Sequence, residues 1–286
     1  MPELPEVETI RQGLTKQILK KSLVKIEVFK TNLVKSPLAV FHKTLHNNQF
    51  VAIERIGKLL IWHLKTGDLY LLIHLKMTGQ LIYVVDQNII AGGHNLPKTN
   101  NLPNKYSHII VTFQDGSHLY FNDLRQFGYW QLVDQKSKDA IVKKFGIEPK
   151  TKNFTFNNFL EVLAKRSAPI KSVLLNQQLI AGIGNIYADE ICFRAQILPT
   201  RKTNTLTRPE KKKLYQACEF IITKAIKHRG TTFSDYRDSK GEAGNFVKYL
   251  KVYGRKNLIC LRCHQSKIKK IKASGRGTHY CPNCQK

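Results

Sequence analysis

Acidic residues are scarce in this sequence. Asp and Glu total 20 against 47 Lys and Arg, a formal charge of +27 over 286 residues. That deficit points to a polyanionic partner: DNA, RNA or an anionic membrane. Long apolar runs are missing too, with none near the ~20 residues that a bilayer-spanning helix needs. The N-terminus, MPELPEVETI, carries three Glu where a secretory leader would have basic residues. These absences give the expectation of a soluble cytoplasmic protein with no membrane partner, associated with the nucleoid if its polyanion is DNA. Lys, Asn and Ile are all abundant, so part of the charge is general composition, and charge alone does not choose the polyanion. No internal repeat is visible.

What is present divides into two textures. Up to about Trp130 short β runs follow one another. Val24, Ile26 and Val28 alternate with Lys25 and Glu27, and then come LLIWHL (59–64), DLYLLIHLKM (68–77), QLIYVV (80–85), HIIVTF (108–113) and HLYFND (118–123). Turn signals such as Thr66-Gly67 and Asp115-Gly116 separate them, the pattern of an antiparallel sandwich or barrel. Residues 87–105 read as a long polar loop. Ahead of the first strand, Pro5, then Glu6 and Glu8 at the positive end of a dipole, then the stripe Val7, Ile10, Leu14 and Ile18 predict a first helix. Pro2 and Glu3 have no use in that reading. From residue 134 (DQKSKDAIVKK) a polar connection leads into helices over 157–165, 170–178, 185–195 and 207–227, each with i, i+3/i+4 apolar spacing. A loop rich in Gly, Ser and Asp (229–245) precedes the C-terminal segment.

Four of the six cysteines fall there, in CLRC (260–263) and CPNC (281–284). Two such knuckles can set Cys260, Cys263, Cys281 and Cys284 around one structural Zn²⁺ at ~2.3 Å. His264, beside a knuckle, is a further candidate ligand, although a solvated side chain is the first reading. Cys192 and Cys218 lie on apolar helical faces and read as inert core thiols. Between the knuckles, SGRGTHY places Arg276 between glycines at a tight turn, either as a phosphate contact or as a solvated tip. In the middle of the chain the helix after residue 170 breaks at Ala181-Gly182-Ile183-Gly184, and Asn185 is placed to cap the next helix. A helix N-terminus with open N–H groups is an anion site, although plain helix–turn–helix packing explains this stretch equally well. It is not a dinucleotide fingerprint, since the third glycine and the preceding strand are missing.

PELPEVET at the N-terminus, RIGKLL (55–60), HLKMTGQL (74–81), NDLRQFG (122–128), QLIAGIGNIYADEICFRAQILP (178–199), RGTTFSDY (229–236), VYGR (252–255) and the four-cysteine finger occur in this order. With them the chain resembles the bacterial formamidopyrimidine-DNA glycosylases over nearly its whole length. The resemblance implies an α+β fold: an N-terminal catalytic β-sandwich domain with a long first helix (1–132), a linker (133–150), a helix-two-turn-helix domain with a lesion-capping loop (151–247), and a zinc finger (248–286), with DNA in the cleft. It implies a monomer acting on double-stranded DNA that contains oxidised purines or abasic sites. By similarity Pro2, freed by removal of Met1, attacks C1′ and forms a Schiff base, and Glu3 is the acid/base. Lys58 and Arg276 take part in proton transfer, and Glu6 supports the active-site helix. The chemistry fits: an α-amino group titrates near ~8, against ~10.4 for lysine, so a useful fraction is neutral at pH 7. Met77, Arg125 and Phe127 match the trio that fills the void left by a flipped base. His74, Arg166, Lys171 and Asn185 match phosphate contacts.

The chain departs from the family pattern at Tyr106, which stands where a DNA-contacting histidine is expected. His108, two residues on, reads as a structural relic rather than a substitute. His264 occupies a position that is commonly glycine, the span between knuckles is one residue longer than usual, and 87–105 looks like an insertion. Two rivals remain. One is the endonuclease VIII branch, specific for oxidised pyrimidines; Leu4 and the RGTTFSDY segment favour the purine branch. The other is a non-catalytic zinc-finger DNA-binding protein, which leaves Pro2, Glu3 and Lys58 unexplained.

Overall fold

The computed structural model describes the chain apart from residues 87, 94–101, 165, 232–244 and 274. It separates into two units, one of residues 1–143 and 228–245, the other of residues 144–227 and 246–286. No helix among the described residues is long and apolar enough to cross a membrane.

The first unit opens with helix α1 (Leu4–Ile18). The stripe Val7, Ile10, Leu14 and Ile18 is buried throughout, as its spacing predicts. Among the described residues nine strands follow: β1 (Leu23–Val28), β2 (Phe50–Ile56), β3 (Leu59–Leu64), β4 (Leu69–His74), β5 (Gly79–Val85), β6 (Asn88–Gly93), β7 (Ser107–Phe113), β8 (His118–Asp123) and β9 (Tyr129–Asp134), with helices α2 (Leu38–Leu45) before β2 and α3 (Gln135–Val142) after β9. They form two antiparallel sheets, ordered β1-β7-β8-β5-β6 and β2-β3-β4-β9. One core joins both sheets to α1, with Phe50, Trp62 and Trp130 from one sheet meeting Tyr83, Phe113 and Phe121 from the other. This is a β-sandwich. Its aromatics meet edge-on, Phe50 on Trp62 at 4.7 Å and Phe121 on Trp130 at 5.8 Å between centroids.

Two expectations change here. Residues 88–93, read as part of a polar loop, are strand β6, which pairs with β5 from Val85↔Asn88 to Gln80↔Gly93. Asp86, directly after β5, has φ +53°. The polar flanks hid a short strand; the rest of that loop, 94–101, lies outside the described residues. The polar connection after residue 134 is largely α3, capped by Asp134, whose Oδ1 accepts the Ser137 N–H at 2.8 Å.

The second unit is helical: α4 (Phe156–Ala164), α5 (Ile170–Leu175), α6 (Asn185–Ala195) and α7 (Arg208–Lys227), followed by the hairpin β10 (Lys269–Ala273) and β11 (Arg276–Tyr280). Cys192 and Cys218 are fully buried where α6 packs on α7, and burial pushes both thiols up, as inert core cysteines require. Between α5 and α6 the chain turns through Gly182 at φ +90°, a conformation that favours glycine. Gln177 stitches this turn: its Oε1 accepts the Gly182 N–H and its Nε2 donates to Ile183 O, both at 2.8 Å. Gly184, not Asn185, is the N-cap of α6, and no side chain caps that end. Asn185 is the first helical residue and points its amide elsewhere.

Candidate active site and nucleic-acid interface

Pro2 and Glu3 are buried just ahead of α1, Glu3 being its N-cap residue. Glu6, one turn on, works with both its oxygens. Oε2 accepts the Glu3 N–H at 3.0 Å, and Oε1 accepts the N–H and hydroxyl of Thr231 at 2.7 and 3.0 Å. Gly230, with φ +77°, lies so close that a Cβ there would stand 2.5 Å from Glu6 Oε1. Only glycine passes this point, so Glu6 ties the start of α1 to the root of the expected capping loop. Beyond Thr231 that loop lies outside the described residues. Glu8 braces the helix from its other side. Burial works to raise its pKa, but Arg11 and Arg55 hold it down at about 2, with Arg55 Nε 3.0 Å away on β2.

Lys58 is buried in the turn between β2 and β3. The terminal amine, on Met1 in the chain as encoded, is pushed below 8.0 by burial; Glu3 and Glu6 oppose the shift and Lys58 adds to it. Removing Met1 moves the amine to Pro2, beside the same groups. An amine held partly neutral next to a buried carboxyl and a buried lysine is a nucleophile with proton-transfer partners at hand.

Met77 sits in the turn after β4, and Arg125 and Phe127 in the turn after β8. Phe127 is 53% exposed, far too open for a core residue, and the Arg125 guanidinium lies 4.7 Å from its ring centroid. Asp123, a residue that sequence reasoning passed over, holds both turns. Its Oδ1 accepts the Thr78 hydroxyl and the Arg125 N–H, and its Oδ2 accepts the Gly128 N–H at 2.7 Å. One buried carboxyl group thus fixes the two turns that carry Met77, Arg125 and Phe127.

His74, at the end of β4, accepts the Lys76 N–H on Nδ1 at 2.9 Å, so the proton of the neutral ring is on Nε2. The residue is half-buried, and burial, with Lys76 and Lys58, pushes its pKa down to about 3. Tyr106 is partly exposed with Lys105 over its ring at 5.2 Å. His108 is buried, with Nε2 2.8 Å from the Asp123 carbonyl oxygen, a structural role.

In the second unit, Arg276 stands exposed at the tip of the β10–β11 hairpin, next to Gly275 at φ +71°. Arg166 donates to Val162 O and keeps a partly exposed side chain. Asn185 Nδ2 donates to Gly277 O at 3.2 Å, so α6 begins against the hairpin. Lys171 does not reach the surface. It is 0% exposed, and Nζ meets Asp189 Oδ1 at 2.6 Å, Thr278 Oγ1 at 2.9 Å and Gly277 O at 3.1 Å, using all three donors. Asp189 Oδ2 takes the His279 N–H at 2.8 Å and faces His279 Nδ1 at 3.1 Å. This buried network, invisible in the sequence, pins the hairpin that carries Arg276.

The sulfurs of Cys260, Cys263, Cys281 and Cys284 lie within 4.8 Å of one another, with 3.8 Å for Cys260–Cys284 and for Cys263–Cys281. A tetrahedron of sulfurs at ~2.3 Å from zinc has edges of about 3.8 Å, so the four fit one Zn²⁺. The Ser266 and Gln265 amides pull Cys263 down to about 5, while burial pushes Cys284 up to about 12. A dication resolves this conflict by making all four thiolates favourable. His264 is exposed, away from the cluster, with φ +53°, which is why glycine suits this position.

Three family models cover the chain: the formamidopyrimidine-DNA glycosylase N-terminal domain over residues 1–130, the corresponding H2TH domain over 145–237, and a zinc finger found in FPG and IleRS over 258–286. The formamidopyrimidine-DNA glycosylase of Pelotomaculum thermopropionicum is 39% identical over 289 residues, covering 100% of this chain and 99% of its own. The chain belongs to the formamidopyrimidine-DNA glycosylase family. Among solved members, the Lactococcus lactis protein in complex with DNA containing an abasic site superposes with a TM-score of 0.86 at 34% identity, covering 99% of each chain. The same protein with DNA containing N7-benzyl-Fapy-dG matches at 0.86 and 35% over 100% of both chains. In this family the four-cysteine cluster is a zinc finger, here with one structural Zn²⁺.

Proposed function

We propose that this protein excises oxidised purines, 8-oxoguanine and formamidopyrimidines, from double-stranded DNA and cleaves the strand at the abasic site. The observation that carries the reading is the terminal cluster: Pro2, Glu3, Glu6 and Lys58 are buried, and Glu3, Glu6 and Lys58 all act on the terminal amine. After loss of Met1, the lone pair of Pro2 N attacks C1′, the glycosidic electron pair leaves with the base, and the Pro2 N–H proton is passed on to the departing base. Glu3 protonates the ring oxygen, the sugar opens, and an iminium joins Pro2 to C1′. Its positive charge acidifies the C2′ proton. Loss of that proton expels the 3′ phosphate, and a second elimination expels the 5′ phosphate; hydrolysis then frees Pro2. Lys58 serves proton transfer, and Arg276 donates in the second elimination.

The turns held by Asp123 support void filling: Met77 as wedge, Arg125 toward the orphaned base and Phe127 between bases, which offsets the few kcal/mol that flipping costs. His74, Tyr106, Arg166 and Asn185 serve the backbone, Lys171 from inside, through the hairpin. The reading includes a monomer working on cytoplasmic, nucleoid DNA, with 1–132 as the catalytic domain, 133–150 as linker, 151–247 as the helix-two-turn-helix domain and 248–286 as the finger. The test is borohydride trapping. Protein lacking Met1 should cross-link to an abasic duplex and to an 8-oxoguanine duplex, whereas protein shown by mass to retain Met1 should bind both and trap neither. Trapping by the Met1-retaining form would end the Pro2 assignment; preferential release of oxidised pyrimidines would move the enzyme to the other branch.

A further inference from the structure

On the second unit, α6, α7 and the first cysteine knuckle enclose a cavity of 290 Å³. Four cations line it, Arg194, Lys224, Lys251 and Arg262, and three of them rest on aromatic rings. The Arg194 guanidinium lies 3.3 Å from the Phe220 centroid, Lys224 Nζ 4.1 Å from that of Tyr249, and the Arg262 guanidinium 4.1 Å from that of Phe193. Held on the rings in this way, they are positioned at little further entropic cost.

Among the described residues no carboxylate pairs with any of the four. The one acid in the lining, Glu190, is buried, and its oxygens accept the backbone N–H groups of Lys251, Val252 and Tyr253 at 2.9–3.0 Å. Burial and the neighbouring Arg262 push the Arg194 pKa down, the mark of positive charges left to repel each other. Beside them Phe220 and Leu261 are each 43% exposed. Arg194 lies nine residues along α6 from Asn185, about 13 Å at 1.5 Å per residue, so this is not the helix end that meets the Arg276 hairpin.

We propose that this cavity is a docking site for an acidic peptide segment of a partner protein, with one bulky apolar side chain in the cavity and its carboxylates on the four cations. A purely anionic ligand has no use for the apolar floor, and an apolar one has no use for the cations. Sites of this size give weak, salt-sensitive, transient binding.

The probe is a fluorescein-labelled peptide, Asp-Asp-Glu-Phe-Asp-Asp-Leu, titrated by anisotropy with the zinc-loaded full chain. Saturable binding should weaken as salt rises and fall about tenfold when the peptide's Phe and Leu are replaced by Ala. Arg194→Glu and Lys224→Glu should each weaken it about tenfold while lesion-duplex affinity stays within about twofold of the parent protein. Lys224→Gln, with zinc content measured alongside, gives a milder loss should charge reversal disturb the fold. Equal binding of the peptide whose Phe and Leu are replaced by Ala would reduce the site to general charge attraction and overturn the proposal. Peptide binding unchanged in every variant, or duplex affinity lost in step with it, would overturn the proposal, the second outcome assigning these cations to nucleic acid.

Discussion

Glu3 and Glu6 are both buried acids one helical turn apart, but their environments separate their roles. Glu6 is committed on both oxygens, to the Glu3 amide and to Thr231, so it is a brace. Glu3, at the N-cap beside Pro2, shares a capping box with Glu6 and is the acid that acts most strongly on the terminal amine, the place of the proposed proton donor. Glu3→Gln should therefore lower 8-oxoguanine excision by about 10²–10⁴ and spare most strand cleavage at preformed abasic sites, where no base has to be expelled. Both rates are read from denaturing gels of the two duplexes; equal loss would make Glu3 only a helix cap. Pro2 and Glu3 stand out in the sequence as unused by an amphipathic helix, yet Glu3 is the N-cap of that helix; the zinc cysteines are legible because their spacing fits little else. Asp123 and Asp189 are not. A buried acid is written in the same letter as a solvated one, and only the converging donors reveal it.

At the scale of elements, short connections do most of the positioning. Asp123 makes the turns after β4 and β8 one object, so Asp123→Ala should leave the Gly128 amide and the Thr78 hydroxyl without their acceptor, the Arg125 amide keeping the Thr78 hydroxyl at 2.9 Å, and cost about 1–3 kcal/mol. Thermal unfolding measures that, and 2-aminopurine opposite the lesion reports whether the wedge still enters; undisturbed fluorescence would mean the turns hold without it. Lys171 is the counterpart in the second unit. Lys171→Met strands Asp189 and should cost about 3–5 kcal/mol, with lesion-DNA affinity falling although Lys171 touches no solvent. Adding Asp189→Asn removes the stranded charge and should restore part of the stability; a double variant worse than the single would refute the pairing argument. The helices of this unit are readable from their period, but the cap of α6 is not. Asn185 is a good capping residue by type, yet the hairpin's Gly277 carbonyl takes its amide, and a tertiary partner outweighs a local preference. Strand β6 is missed for a similar reason, since its pairing with β5 rather than its own composition makes it a strand.

The whole molecule is two units with separate cores, and the zinc belongs to only one. Cys260 and Cys281 share an apolar cluster with Phe193 of α6, Val252 and Ile268, and the hairpin is bound to α5 and α6 through Lys171 and Asp189. Losing the metal should therefore loosen the hairpin and the α6 end together. The sandwich, with its own aromatic core, should stand. The chain reports this difference itself: it has two tryptophans, Trp62 and Trp130, and both are fully buried in the first unit. Chelation, or Cys281→Ser, should release one zinc per chain while tryptophan emission stays at its native wavelength. Lesion-duplex affinity should fall sharply because Arg276 loses its fixed position, and the salt dependence of what remains should be shallower by roughly one phosphate contact. Emission shifting to the red in step with zinc release would show that the sandwich depends on the metal as well, and that the two cores do not fold separately.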